Sequence, residues 1–367
     1  MPHTLHNLFL NQAHTLEHGR IIGPIRIGWQ SPSNIALIKY WGKKAEQIPS
    51  NASLSITLSR AFTEVIIEVL PGNQKELNVD FYFEGKRKRD FLPKIVQFLS
   101  NIKIYFPFLQ QLYIKMESRN TFPHSSGIAS SASSMSAIAL TICTLEENLF
   151  EKYPTDEFMR KASYIARIGS GSACRSIYGG FVSWGKHQLL KHSSDEVATP
   201  LTGYIHPIFH NLKNSVLIVS SSKKKVSSTQ GHRMMENHPF AAARFTQANT
   251  NMVQLLSALE SGDFPGFAKI VENEALTLHG LMMSYDQGII LTEPGTFRII
   301  NEIKEFRESS GINICYTLDA GPNVHLIYPE EINDRVQGFI RTRLLKFCEN
   351  NKWIDDSIGS GPKYLSI

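Results

Sequence analysis

The sequence predicts an α+β fold on three observations. Apolar and polar residues alternate through Leu54, Ile56 and Leu58, through Val65, Ile67 and Val69, and through Leu112, Ile114 and Met116, the period of a half-buried strand. A serine-rich stretch from His124 to Ser136 then opens a run in which Ala132, Met135, Ala139 and Ile142 recur at helical spacing. Past residue 240 long helical patterns take over, before two late strands. Strands followed by a strand–loop–helix unit make a mixed sheet with helices against one face. At 367 residues the chain suits two domains or one bilobed unit.

Residues 1–24 read as an extension. The first thirty residues hold four His and one acidic residue, without the apolar core of about 7–15 residues that a signal peptide needs. Ile25–Ile38 is a strand-like segment whose second half belongs to the run Ser31-Pro-Ser-Asn-Ile-Ala-Leu-Ile-Lys-Tyr-Trp-Gly-Lys43. A core strand that ends in two ammonium groups and two large aromatics either docks an anion or forms an amphipathic turn with its lysines reaching to solvent. A helix is expected over 90–102, and the strand through Leu112–Met116 leads into the serine-rich loop.

A small-residue loop at a helix start gathers unpaired N–H groups under the positive end of the helix dipole and lets a polyphosphate approach; simple capping is the other use. The loop is not a Walker A motif, because no Lys follows a second Gly. Arg167-Ile-Gly-Ser-Gly-Ser-Ala-Cys-Arg-Ser176 is a second Gly/Ser loop, and its guanidinium can take a carboxylate or phosphate in bidentate fashion. A short strand at Val216–Ser220 begins the second domain, dividing the chain into 25–215 and 216–367. Helices follow at Ala241–Leu259, stopped by Gly262, at Phe264–Met283, opened by Asp263 and Pro265, and at Gly295–Ser309. Strands Ile312–Leu318 and Val324–Tyr328 flank Asp319-Ala-Gly-Pro-Asn323, where Asp319 is either a turn-former or a carboxylate held at a strand end as a general base.

Composition narrows the partners. With 42% hydrophobic and 19% charged residues the chain is globular, and no apolar run nears the roughly 20 residues of a membrane span. The charge of +5 favours an anionic partner. That partner could be nucleic acid, an acidic membrane surface or a phosphorylated small molecule, and the basic runs Lys86–Arg89 and Lys223–Lys225 lack the interleaved aromatics of a single-strand binder, which points away from nucleic acid. Cys143, Cys174, Cys315 and Cys348 form no C-x-x-C pair, so the expectation is a reducing cytoplasm with neither a disulfide framework nor structural zinc. None of the thirteen His has metal-ligand spacing, so no metal site is expected and His279 and His325 read as structural residues.

Four motifs, 31–43, 122–133, 169–176 and 319–323, with a shorter fifth at Val226–Gly231, together resemble the diphosphomevalonate decarboxylase family of the GHMP kinase superfamily, and in its order. The resemblance implies a two-lobed GHMP fold, with an N-terminal domain of ribosomal protein S5 domain 2 type and a C-terminal α/β sandwich. It implies ATP-dependent decarboxylation of mevalonate 5-diphosphate, with Mg2+, and a homodimer, the family's common state. Asp319 would be the base, Lys39 and Asn34 would orient the hydroxyl, and Arg175 would grip the carboxylate. Tyr40, Trp41, Gly42, Lys43, Ser170, Gly171, Ser172, Ala173, Cys174 and Thr229 would line the substrate pocket, and Ser126, Gly127, Ser130 and Ser131 would cradle ATP. His124 and Ala52 depart from the family pattern, and Lys94 is the candidate for a missing Arg contact to the diphosphate. A monophosphate decarboxylase, a mevalonate 3-kinase and a non-catalytic nucleotide-binding protein are the alternatives.

Overall fold

A long strand, β1 (Ile25–Ile38), runs through the middle of the first lobe and delivers the site residues at its end. The computed structural model describes residues 4–17, 23–45, 47–72, 77–123, 128–222, 228–286 and 288–367. Helix α1 (Thr4–Asn11) precedes β1, and a small hairpin of β2 (Lys43–Ala45) and β3 (Ile48–Pro49) follows it. Next come β4 (Ser53–Pro71), β5 (Asn78–Phe83), β6 (Lys86–Arg87), α2 (Leu92–Ile102) and β7 (Leu112–Asn120). The first lobe continues with α3 (Ser130–Leu149), α4 (Thr155–Gly169), a 3-10 turn over Gly171–Ile177, β8 (Phe181–Trp184) and β9 (Thr199–Pro200). Strand β10 (Leu212–Leu217) and helices α5 (Ser228–Met234), α6 (Ala241–Ser261), α7 (Phe264–Ser284) and α8 (Pro294–Ser310) begin the second lobe. It is completed by β11 (Cys315–Leu318), β12 (Val324–Pro329), α9 (Asn333–Phe339) and β13 (Trp353–Ser357), and β14 (Lys363–Leu365) ends the chain.

The first sheet has the order β14-β1-β4-β7-β5-β6, with β8 also paired to β4, and β5 parallel to β7. The expected mixed sheet is therefore present. Ile27, Val65, Ile67, Ile114 and Met116 pack with α2, α3 and α4 in one apolar core. The second sheet, β11-β12-β10-β13, is antiparallel throughout. A shared core joins the lobes: Ile35, Leu37, Ile56 and Leu58 of the first sheet pack with Val216, Met252, Leu255, Phe267 and Ile327 of the second lobe.

Between Pro32, opposite Phe62, and Asn34, opposite Thr57, the β1–β4 register jumps. The bulged β4 backbone is captured by Asp356 of β13, whose carboxylate accepts from the N–H groups of Ser59, Arg60 and Ala61 at 2.7–2.8 Å. Two strand expectations shift at their ends. The strand expected from Ile312 pairs only from Cys315, because the Ile314 N–H turns back on the Ile312 carbonyl at 3.0 Å. The strand expected at 216–220 is Leu212–Leu217, since β12 and β13 pair with it further upstream. The basic run at Lys86–Arg89 is exposed on a hairpin.

The described part of the N-terminal extension, residues 4–17, is packed against the first lobe. Leu5, Phe9 and Leu16 are buried in the first core, Phe9 lies edge-on to Tyr164, and His6 bonds Tyr105 Oη at 2.7 Å. Among the described residues no helix is long and apolar enough to cross a membrane.

Candidate active site

Lys39 directly follows β1, and its side chain is only 2% exposed. Its ammonium donates to the Ala36 carbonyl at 2.6 Å and faces Asp319 Oδ1 at 3.3 Å. Burial lowers the Lys39 pKa, and the carboxylates of Asp319 and Glu274 oppose that shift. Asp319 sits just past β11 with a quarter of its side chain exposed, so one face of the pair is open to a ligand. The turn that carries it is fixed from behind by His279 of α7, whose Nε2 meets the Asp319 carbonyl at 3.1 Å. A carbonyl can only accept, so Nε2 bears the proton, and burial holds this imidazole neutral with a pKa of about 4.

Arg175 comes from the 3-10 turn and is buried beside the same carboxylate. Its Nη1 donates to Ser53 Oγ at 2.6 Å, and Nη2 and Nε donate to Asn34 Oδ1 at 3.2 and 3.4 Å. Asn34 in turn donates through Nδ2 to Ser176 Oγ at 2.7 Å and to the Ser172 carbonyl at 3.2 Å, which fixes which way its amide points. No carboxylate among the described residues lies within ion-pair distance of Arg175. A desolvated guanidinium bound only by neutral groups favours an anion, and burial lowers its pKa while the field of Asp319 raises it.

The run after Lys39 is shaped by its glycine. Gly42 has φ +99°, and a Cβ there would meet Phe245 at 2.9 Å. Its N–H donates to His232 Nδ1 of α5 at 3.1 Å, and burial keeps that imidazole neutral with a pKa of about 3. Tyr40 packs between Trp184 and His232, while Trp41 is buried in an apolar cluster with Met235, Leu278, Leu281 and Met282. Gly171 lies against Trp184 and Tyr40 Oη, where a Cβ would stand 2.6 and 2.9 Å from them. Ser170 ends α4, Lys43 begins β2, and Ala173 and Cys174 are fully buried; burial pushes the Cys174 thiol up to about 12, so it is no nucleophile. The backbone of Thr229 is in α5.

At the head of α3, Ala129 adopts a left-handed φ of 45°, and Ser130 Oγ is buried without a hydrogen-bond partner among the described residues. Ser131 Oγ accepts from Lys94 Nζ at 2.9 Å, so Lys94 serves this helix start. Ser33 Oγ of β1 donates to the Ile128 carbonyl at 2.6 Å, and Ser31 Oγ meets Ser136 Oγ at 2.5 Å, tying the helix start to the strand that carries Asn34 and Lys39. Ser126, Gly127 and His124 lie outside the described residues.

The structure thus brings Asn34, Lys39, Arg175, Ser172 and Asp319 together from three separate segments. Sequence reasoning missed Ser53, Asn51, His232, Arg244 and Glu274, and named His279 only as a structural residue. Only the Asn51-Ala-Ser53 segment carried a signal, through the departure at Ala52. Ala52 is buried against Gly185, where a Cβ would stand 2.7 Å from the Ala52 Cα. Among the described residues no cluster of His, Cys, Asp and Glu could hold a metal ion.

Comparisons with known proteins agree along the chain. Residues 31–196 match the family model of the diphosphomevalonate decarboxylase-like N-terminal domain, and residues 215–361 match that of the mevalonate 5-diphosphate decarboxylase C-terminal domain. A diphosphomevalonate decarboxylase of Ganoderma lucidum is 32% identical over 82% of this chain and 78% of its own. The crystal structure of mevalonate diphosphate decarboxylase from Staphylococcus aureus superposes with a TM-score of 0.79 at 27% identity, covering 94% of this chain and 99% of that one. A structure of MDDEF in complex with MVAPP, AMPPCP and magnesium covers 94% of this chain and all of its own, with a TM-score of 0.78 at 27% identity.

Proposed function

Since this chain belongs to the diphosphomevalonate decarboxylase family, we propose that it converts mevalonate 5-diphosphate and ATP to isopentenyl diphosphate, ADP, phosphate and carbon dioxide. The single observation that carries the reading is the Lys39–Asp319 pair facing the buried, anion-seeking guanidinium of Arg175. In this reading the site lies at the junction of the two lobes; the boundary expected at 215/216 moves ahead of β10 (Leu212–Leu217), and β14 (Lys363–Leu365) of the expected second domain returns to the first sheet.

A tertiary alcohol is a poor nucleophile and hydroxide a poor leaving group. Asp319 takes the hydroxyl proton, and the Lys39 ammonium lies next to the developing alkoxide. Asn34 is fixed by Arg175 and Ser176 and orients the same oxygen. Arg175 holds the substrate carboxylate. Departure of the phosphorylated oxygen leaves electron demand at C3, and the carbon–carboxylate bonding pair becomes the new double bond as carbon dioxide leaves.

The head of α3 fits a nucleotide triphosphate: Ser130 Oγ is buried and unpartnered among the described residues, and Ser131 and Lys94 add donors. ATP with Mg2+, bound there, supplies the phosphoryl group. In this reading Tyr40, Gly42, Lys43, Ser170, Gly171 and Ser172 line the diphosphate end, while the buried Trp41, Ala173 and Cys174 support that wall from behind.

A product assay with purified protein, ATP, Mg2+ and, separately, mevalonate, its 5-phosphate and its 5-diphosphate tests the reading. Isopentenyl diphosphate is the expected product, and a stable 3-phosphate or isopentenyl monophosphate as the main product would displace it. Asp319→Ala is expected to lower turnover by about 10²–10⁴-fold while nucleotide binding, measured by calorimetry, survives.

A further inference from the structure

Lys39 stands just beyond the sheet, so its own peptide groups find partners elsewhere. Its N–H donates to Glu274 Oε2 at 2.8 Å, and its carbonyl accepts from Arg244 Nη2 at 3.3 Å and Asn51 Nδ2 at 3.1 Å. Glu274 lies on α7 and Arg244 on α6, both in the lobe that carries Asp319. The guanidinium of Arg244 takes both carboxylate oxygens of Glu274, Nη1 to Oε1 at 2.7 Å and Nη2 to Oε2 at 2.5 Å, and Asn251 Nδ2 adds a third donor at 2.6 Å. The two charged side chains are 1% and 0% exposed.

A buried ion pair adds little stability over an apolar pair of the same shape; what a bidentate one does provide is a fixed direction. Here that direction is aimed at the Lys39 backbone. The same helix, α7, also holds the Asp319 carbonyl through His279. One rigid element therefore grips the main chain behind both members of the Lys39–Asp319 pair, although the two come from different lobes.

Resting on the decarboxylase reading, we propose that Glu274, oriented by Arg244, is a positioning residue of the reaction, and that α7 sets the separation of the Lys39 ammonium from the Asp319 carboxylate by holding both backbones. The pair acts on geometry and touches no substrate.

The double variant Arg244→Met/Glu274→Leu replaces the charges by an apolar pair of similar volume. Folded protein is expected, with kcat lowered about ten- to a hundredfold and the nucleotide KM within about twofold of wild type, because a misplaced reactive group costs rate and not nucleotide affinity. A folded double variant with wild-type kcat would overturn the proposal. Should it fail to fold, Arg244→Lys decides, since it keeps a cation beside Glu274 and withdraws the donor to the Lys39 carbonyl; kcat per folded molecule is expected to fall, and an unchanged value would refute the role. Inactive wild-type enzyme in the product assay would count against the decarboxylase reading alone. The crystal structure of whichever variant folds would then decide, a widened Lys39–Asp319 separation supporting the proposal and an unchanged 3.3 Å sinking it.

Discussion

His232, His279 and His325 show what burial does to a single residue. Burial holds them at pKa values of about 3, 4 and 4, against an ordinary 6.5. For His325, the fields of Asp319 and Lys39 then act in opposite directions. In the unfolded chain each histidine takes up a proton as pH falls through 6.5, while in the folded chain it resists until about 4. Stability is therefore complete above about 6.5 and declines as pH falls toward 4, by about 1.4 kcal/mol per pH unit for each such histidine. Urea midpoints between pH 7 and 5 are expected to fall accordingly, and His325→Gln should remove one histidine's share of the slope; a flat midpoint would contradict this. The sequence marked His279 and His325 as structural residues and gave no sign of His232. Their neutrality comes from surroundings assembled out of distant segments.

Helix α1 is the element that sequence patterns described least, since its histidines and short length gave no periodic signal. Its burial is nevertheless specific. Phe9 is fully buried over the first core and lies 5.9 Å from the ammonium of Lys161, which is itself completely buried in an ion pair with Glu146 at 2.6 Å. Phe106 and Tyr153 offer their rings to the same ammonium at 5.1 and 4.7 Å. Phe9→Ala is expected to cost about 3–5 kcal/mol of stability, read from chemical denaturation, with turnover per folded molecule unchanged. A change of less than about 1 kcal/mol would mean that α1 is not a working part of the core. Other elements were legible: Asp263 caps α7 by accepting from the Gly266 N–H at 2.9 Å, and Gly262 ends α6 with φ +79°, both as expected from residue type. Helix α4 went unread, although Asp156 and Glu157 in its first turn and Arg167 in its last follow the helix dipole.

Across the whole molecule the lobes are coupled by the shared apolar core and by Asp356, which reaches from β13 into the bulge of β4. One calorimetric transition is expected, with calorimetric and van't Hoff enthalpies in agreement; two resolved transitions would show that the lobes unfold independently. The chain's own order of residues determined the strand alternation and the helix starts and stops, because periodicity and capping are local properties, and the resemblance of its motifs to a known family pointed to Asn34, Lys39, Arg175 and Asp319. Tertiary structure alone decided that Glu274 and Arg244 hold the Lys39 backbone and that His279 holds Asp319. Those partners are separated by tens to hundreds of residues, and a hydrogen bond across such distances leaves no trace in spacing: it exists only once packing has brought a desolvated donor and acceptor within reach.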